Sequence, residues 1–543
     1  MDFVASVNTC VAEALLRFGP RIVFGVLGDA NMVYMHGFVG SGGTYIGAVD
    51  ERAALMMAVG SAQTADDVGC ATVTHGPGLT NTVTSLVEAV RGRTPLVLLT
   101  GETPPVHDYV QAIEIAPLVL ATGALYRRVL DPTHVGADVR AAFRLAEGER
   151  RPVVLDIPFA LLDQDAGPLV LGPSPARQRQ RVSPDPDVVD EALGVLASAQ
   201  RPVVLAGRGA SSDGARTALL RLADALGAPL GTTLLGRDLF RGERWDLGVI
   251  GTLSDATALD VVSSSDCVIA FGASLNHYTT DRGWLRDQRA VVHVDIDPGQ
   301  LGRFGAVTAD VLGDAEIVAT QMAQALAESG HKASSFRSPA LGERLAARDP
   351  RCDFLDTSAN GFVDARLAMI RLDEVLPSDR IVVTDVARFA AAPWKYLHAS
   401  SPQAFTHTAN FGSIGLGLPA AIGASASDSS RVTVAVAGDG GAMMAIAELA
   451  TVARLRLPMV IVVVNDNCYG AEWSSLERRG LDPKLSLTPW PSFAEVARGM
   501  GVSGLTVRTE AELDEVGRRV AEGDMPLVVD LRVDPAVDIG GVR

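Results

Sequence analysis

The amino-acid sequence predicts an α/β protein made of three doubly wound parallel-sheet domains, and three observations lead to that class. Short β-branched runs such as ATVTH, PLVLLT, PVVLDI, PVVLAG, CVIAFG, VVHVDI, RIVVTD, VTVAVAG and MVIVVVN alternate with longer Ala/Leu-rich stretches. That is the pattern of parallel strands joined by crossover helices. Two segments interrupt it and read as linkers: residues 165–186, with Gly, Pro, Arg and Gln in no period, and residues 328–361, mixing Ser, Pro, Gly and charge. With 543 residues, 48% of them hydrophobic, the chain is long enough for three domains of the common size. The boundaries that follow are 1–165, 187–327 and 362–543.

Taken in order, the opening MDFVASVNTCVAEALLRFGP reads as an amphipathic helix, without the basic leader and apolar core of a signal peptide. The strand TYIGAVD then leads directly into the helix ERAALMMAVGSAQTA. The middle segment holds PVVLAGRGA, CVIAFGASL and VVHVDIDP, a Rossmann-like sheet whose Gly207-Arg208-Gly209-Ala210 is a weak dinucleotide signal taken alone. The first and third domains share a plan, a Gly-rich turn after a strand followed by a helix rich in small residues. Such turns lie at the carboxyl ends of parallel strands, where ligands bind.

Charge and composition narrow the partners. A net charge of -17 repels nucleic-acid backbones and anionic lipid surfaces, which leaves small molecules. The five cysteines are far apart with no CxxC pair, so neither a disulfide framework nor a zinc site is expected. No apolar run reaches the roughly 18–20 residues of a membrane span. A cytoplasmic protein is the expectation.

The run VTVAVAGDGGAMMAIAELATVARLRLPMVIVVVNDNCYG says most about chemistry. A strand ending at Ala437, a tight Gly438-Asp439-Gly440 turn, a helix over about 442–455 and a strand over 459–464 deliver Asp439 and Asp466, 27 positions apart, to one sheet edge. Paired oxygen ligands suit Mg²⁺, which takes one or two carboxylates together with phosphate oxygens. Glycines in the turn let the backbone approach a diphosphate.

The spacing and flanking strands resemble the thiamine-diphosphate motif, GDG followed about two dozen residues later by an Asn-Asn pair. FGVLGDAN, VDERAALMMAVGSA, VTHGPGLTN and PLVLLTGE in the first domain, and TDV and NFGSIGLGLPAAIGA in the third, extend the resemblance to the acetolactate synthase and 2-oxo-acid decarboxylase superfamily. It implies that the first domain binds the pyrimidine ring, with Glu51 as activating carboxylate and Asn81 as a further cofactor-binding residue, and that the third binds diphosphate. There Asp439, Asp466 and the Cys468 carbonyl would hold Mg²⁺, while Gly412, Gly438, Gly440 and Tyr469 contact the cofactor and Ile414 supports its bent shape. One departure stands out: Asp466 replaces the second Asn of the family pair.

Residues around the reacting carbon would choose the reaction. Gly28-Asp29-Ala30-Asn31 is similar to the turn that carries a proton-transfer Asp in pyruvate and indolepyruvate decarboxylases, and Glu472 falls on their second catalytic carboxylate. The turn His75-Gly76-Pro77-Gly78 resembles that of synthases, although a His near this place is also similar to benzoylformate decarboxylase, and Gln111, in HDYVQAIE, looks like the glutamine that synthases and benzaldehyde lyase present to the substrate. The turn GASLNHYTTDRG resembles FAD-free decarboxylases, so no flavin is expected. The resemblance implies a decarboxylase or carboligase acting on a 2-oxo acid or 2-hydroxy ketone, with an acetolactate-synthase-like transferase as the alternative and an inactive cofactor-binding regulatory homologue as a third possibility. It also implies a homodimer or homotetramer, each site shared between two chains.

Overall fold

The computed structural model describes residues 5–168, 181–359 and 361–537. Three six-stranded parallel sheets organise them. The first contains β1 (Ile22–Gly25), β2 (Thr44–Gly47), β3 (Gly69–Thr72), β4 (Leu96–Thr100), β5 (Leu125–Arg128) and β6 (Pro152–Asp156), in the order β2-β1-β3-β4-β6-β5. The second contains β7 (Pro202–Ala206), β8 (Leu230–Thr232), β9 (Asp246–Val249), β10 (Cys267–Phe271), β11 (Ala290–Asp295) and β12 (Ala309–Leu312), in the order β12-β11-β10-β7-β8-β9. The third contains β13 (Arg380–Thr384), β14 (Phe405–His407), β15 (Val432–Gly438), β16 (Met459–Asn465), β17 (Ser503–Val507) and β18 (Leu527–Arg532), in the order β14-β13-β15-β16-β18-β17. Strand for strand, the first and third orders are the same. Every residue of β4, β6, β7, β10, β13 and β16 is buried, which is why these strands read as apolar runs, with polar residues only at their ends, rather than as alternating ones.

The first and third sheets belong to one compact unit and the second to another. In the first unit two helices cross closely: Glu51–Ala65, which follows β2, and Gly417–Ser427, which follows β14. Their contact needs glycine on both sides. A Cβ on Gly60 would stand 1.9 Å from the Ala420 carbonyl oxygen, and one on Gly423 would stand 1.8 Å from that of Met57. A hydrogen bond of 2.6 Å between the Ser61 and Ser427 hydroxyls marks the same seam.

In the second unit the strand order reverses between β7 and β10. There Gly207 and Gly209 press on Gly272, whose carbonyl oxygen lies 2.3 Å from where a Gly207 Cβ would be. Close packing of chain on chain thus accounts for the glycines of the Gly207-Arg208-Gly209-Ala210 turn.

Two expectations need correction. The segment 328–361 is not simply a linker, because Ser338 caps a helix at Pro339–Ala346 that buries Leu341 and Leu345 among Val203, Leu205 and Val261. The single helix expected over 442–455 is three pieces, Asp439–Met444, a turn at Ile446–Glu448 and Leu449–Leu455. The break turns Glu448 inward, where its carboxylate accepts from the backbone N–H of Val49 and of Asp50. Residues 391–405 cluster with the second unit, where Arg237 donates to the Pro393 carbonyl and Asp238 accepts from the Ala399 N–H. Of the segment 165–186, residues 169–180 lie outside the described residues. No helix among the described residues is long and apolar enough to cross a membrane.

Candidate active site

At the carboxyl edge of the first sheet, the loops after β1, β3 and β4 converge on the start of the Glu51–Ala65 helix. Asp50 caps that helix, accepting from the Ala53 N–H at 2.7 Å, so Glu51 occupies its first turn. The Asn81 amide donates to Glu51 Oε2 at 2.9 Å. Gly78 lies beside the same carboxylate, where a Cβ would stand at ordinary contact distance, 3.5 Å, from Glu51 Oε1. Gly76, at φ 58°, lies against Gln111, and a Cβ there would come within 2.2 Å of the Gln111 carbonyl oxygen. Between these loops His75 is only 1% exposed, edge-on to the rings of Tyr109 and Phe159, and neither imidazole nitrogen has a hydrogen-bond partner. A buried polar ring left without partners is costly unless a ligand satisfies it.

The turn after β1 is organised by Asn31 rather than by Asp29. Asn31 is fully buried, accepts from the Gly28 N–H and donates to the Val26 carbonyl and the Thr72 hydroxyl. Asp29 is exposed at the tip.

At the carboxyl edge of the third sheet, Gly438 pairs in register with Val464, which brings Asp439 beside the Asn465-Asp466-Asn467 loop. Asp439 is 3% exposed; its Oδ1 accepts from the Gly440 N–H, and its Oδ2 is buried with no partner. Burial, and then the neighbouring charge of Asp466, hold the Asp439 carboxyl well above the usual carboxylate range. Asp466 accepts from the Cys468 N–H at 3.0 Å and from the Arg388 guanidinium at 2.8 Å. Burial pushes the Cys468 thiol up, so it stays neutral as a small apolar side chain. The Tyr469 ring covers Gly440, where a Cβ would meet Cε1 at 2.7 Å. Two converging acids, one with a free buried oxygen, form a donor set that suits a hard divalent cation. Among the described residues no three His, Cys, Asp or Glu side chains cluster, so any cation here takes its remaining ligands from backbone and ligand oxygens.

The loop bearing Gly412 and Ile414 is pinned from both ends. Asp385, at the end of β13, accepts from the N–H groups of Val386 and Gly415 and from the Thr408 hydroxyl. Glu88, 1% exposed in the Val83–Arg91 helix, accepts from the backbone N–H groups of Asn410 and Phe411. Ile414 is half-buried between these anchors.

The sequence-predicted residues therefore fall into two groups. Asp29, Glu51, His75, Asn81 and Gln111 gather at the first sheet, and Gly412, Ile414, Gly438, Asp439, Gly440, Asp466, Cys468, Tyr469 and Glu472 at the third. Glu472 is exposed on the Gly470–Arg478 helix. Between the groups, Arg52 donates to the Met444 carbonyl, at the opposite end of the short Asp439–Met444 helix from Asp439. Sequence reasoning missed Asn31, Glu88, Arg388 and Glu448; a charged or amide residue inside an apolar helical run, as in TSLVEAV and MMAIAELA, was the available signal for the two glutamates.

Comparison with known proteins adds to this geometry. Family models described as the N-terminal, central and C-terminal domains of thiamine pyrophosphate enzymes match residues 5–115, 189–322 and 385–531. A probable acetolactate synthase large subunit of Methanocaldococcus jannaschii is 27% identical, covering 97% of this chain and 91% of that protein. An acetolactate synthase large subunit of Parasynechococcus marenigrum is 29% identical, covering 96% and 86%. The acetolactate synthase isozyme 2 large subunit of Escherichia coli is 26% identical, covering 96% and 95%.

Proposed function

The chain belongs to the thiamine pyrophosphate enzyme family, and on that premise we propose that it is an acetolactate-synthase-like transferase, joining two 2-oxo acids with loss of carbon dioxide from one. The observation that carries this reading is the similarity to acetolactate synthase large subunits along almost the whole chain. The sequence alone puts a decarboxylase or carboligase first. The exposure of Asp29 and Glu472, the two acids on which that reading leaned, gives it no added support.

When bound, thiamine diphosphate supplies an acidic ring carbon and a sink for the electron pair left by decarboxylation. Asp439, Asp466 and the Cys468 carbonyl would hold Mg²⁺, with the free Asp439 Oδ2 as the ligand atom that protein contacts leave unused. Glu51 holds and exchanges the proton at the pyrimidine ring, and Asn81 keeps its carboxylate oriented. Ile414 supplies apolar support on a loop held rigid by Glu88 and Asp385. His75 and Gln111 orient the substrate, the unpartnered imidazole nitrogens of His75 being the polar atoms a 2-oxo acid would satisfy.

We take each site to be shared by two chains. In one chain the neighbour of Glu51 meets the far end of the helix that starts at Asp439, about 7.5 Å away by helical rise. A second chain would bring Glu51 to the diphosphate side.

The test is product stoichiometry with pyruvate, thiamine diphosphate and Mg²⁺. Acetolactate with one carbon dioxide per two pyruvates supports condensation. Free acetaldehyde with one carbon dioxide per pyruvate replaces it with a decarboxylase.

A further inference from the structure

Asp466 sets a chemical problem that an uncharged ligand at the same place would not. A carboxylate has no donor, so both oxygens must be met by donors, and beside Asp439 it adds a second negative charge to a buried site. Its Oδ1 accepts from the Cys468 N–H and its Oδ2 from Arg388. The pair is well buried, with side-chain exposures of 8% for Arg388 and 14% for Asp466.

The arrangement is built rather than incidental. Arg388 lies in the short turn Arg388–Ala390 that follows β13, and a second guanidinium nitrogen donates to the Ser474 hydroxyl at 3.3 Å. Gly470 makes the approach possible: a Cβ there would stand 2.7 Å from Arg388 Nε and 3.0 Å from Asp466 Oδ2. An amide at 466 would fit this cage badly. In either orientation its NH₂ would face a donor, the Cys468 N–H or the guanidinium.

We propose that Arg388 and Asp466 act as one unit of the metal site, the guanidinium absorbing the second carboxylate charge and fixing its orientation, so that a cation with its diphosphate meets the net charge of a single carboxylate. This rests on the reading that Asp439 and Asp466 hold Mg²⁺. Arg388 is a positioning residue: it acts on the metal ligand and not on the substrate.

The test is a double-mutant cycle read by calorimetric binding of thiamine diphosphate in saturating Mg²⁺, with folding checked by far-UV circular dichroism. Arg388→Met leaves a buried carboxylate unpaired, and Asp466→Asn sets donor against donor, so each alone should weaken binding about tenfold or more. Together they remove both the charge and the need for its partner, and the Arg388→Met/Asp466→Asn chain should return to within about threefold of wild type. Arg388→Lys, which keeps the charge but loses the planar fork, should fall between, and it serves where Arg388→Met does not fold. Wild-type binding by both Arg388 variants, or a double variant as weak as the two losses combined, would overturn the proposal. Asp439→Ala separates the two levels. Loss of binding there without coupling between 388 and 466 removes only this inference, whereas unchanged binding removes the metal reading as well.

Discussion

Glu88 and Glu448 are counterparts, one following β3 of the first sheet and the other β15 of the third, and each accepts backbone N–H groups from the segment that leads into the other half's central helix. Glu448 holds Val49 and Asp50, just ahead of Glu51. Glu88 holds Asn410 and Phe411, just ahead of the Gly412–Gly415 turn. Both carboxylates are nearly inaccessible, and burial raises the pKa of each. The two sheets thus share an internal two-fold plan in which each half fixes the working loop of the other.

Removing Glu448 should disturb both stability and catalysis. Glu448→Ala strands two backbone donors and the Thr451 hydroxyl, which should cost about 1–3 kcal/mol in urea unfolding, and kcat should fall because the entry to the Glu51 helix is no longer held. A loss under about 0.5 kcal/mol with unchanged kcat would remove the bracing role.

The helix seam makes a sharper steric prediction. Gly60→Ala places a methyl on the Ala420 carbonyl and should destabilise the chain by about 1–3 kcal/mol or more, as over-packing does. Gly40→Ala, at a helix end where nothing lies within 4 Å, is the control and should change stability by less than about 0.5 kcal/mol. Equal behaviour of the two variants would contradict the close crossing.

Much of this was legible in the sequence, and the limits have physical causes. Parallel strands and the GDG and NDN loops announce themselves through local pattern, so Asp439, Asp466 and the start of the Glu51 helix emerge directly. Arg388 does not, because its partner is 78 positions away and only the fold brings them together. Glu448 sat inside what read as one continuous helix; the bend that turns it inward is imposed by acceptance from Val49 and Asp50, a tertiary contact. Asp29 is visible by composition, as an Asp in a turn, while the organising hydrogen bonds of Asn31 are visible only in three dimensions.

Metal binding should depend on pH with a definite sign. The folded, metal-free chain keeps a proton on Asp439 above the range, near about 4, in which the unfolded chain loses it. The stability contributed by that proton is present at low pH and is lost as pH rises through the raised pKa. Mg²⁺ must displace the proton, so its affinity should fall as pH drops from about 8 to about 5.5, with proton release detectable by calorimetry in buffers of different ionisation enthalpy. Equal affinity at both ends of the range would show that Asp439 is already ionised.

Site sharing predicts complementation. A Glu51→Gln chain and an Asp439→Ala chain, each inactive alone, should recover up to about a quarter of the sites when subunits exchange at random. No recovery despite demonstrated exchange would place the whole site within one chain.

The most direct measurement is the rate at which the C2 hydrogen of enzyme-bound thiamine diphosphate exchanges with deuterium, because it needs no knowledge of the substrate. With wild-type protein and Mg²⁺, exchange should be faster than in free cofactor, and Glu51→Gln should lose about 10²–10⁴-fold of that rate while still binding the cofactor. Exchange in the Glu51→Gln chain as fast as in wild type would contradict the role of Glu51 and, with it, the proposed chemistry of the site.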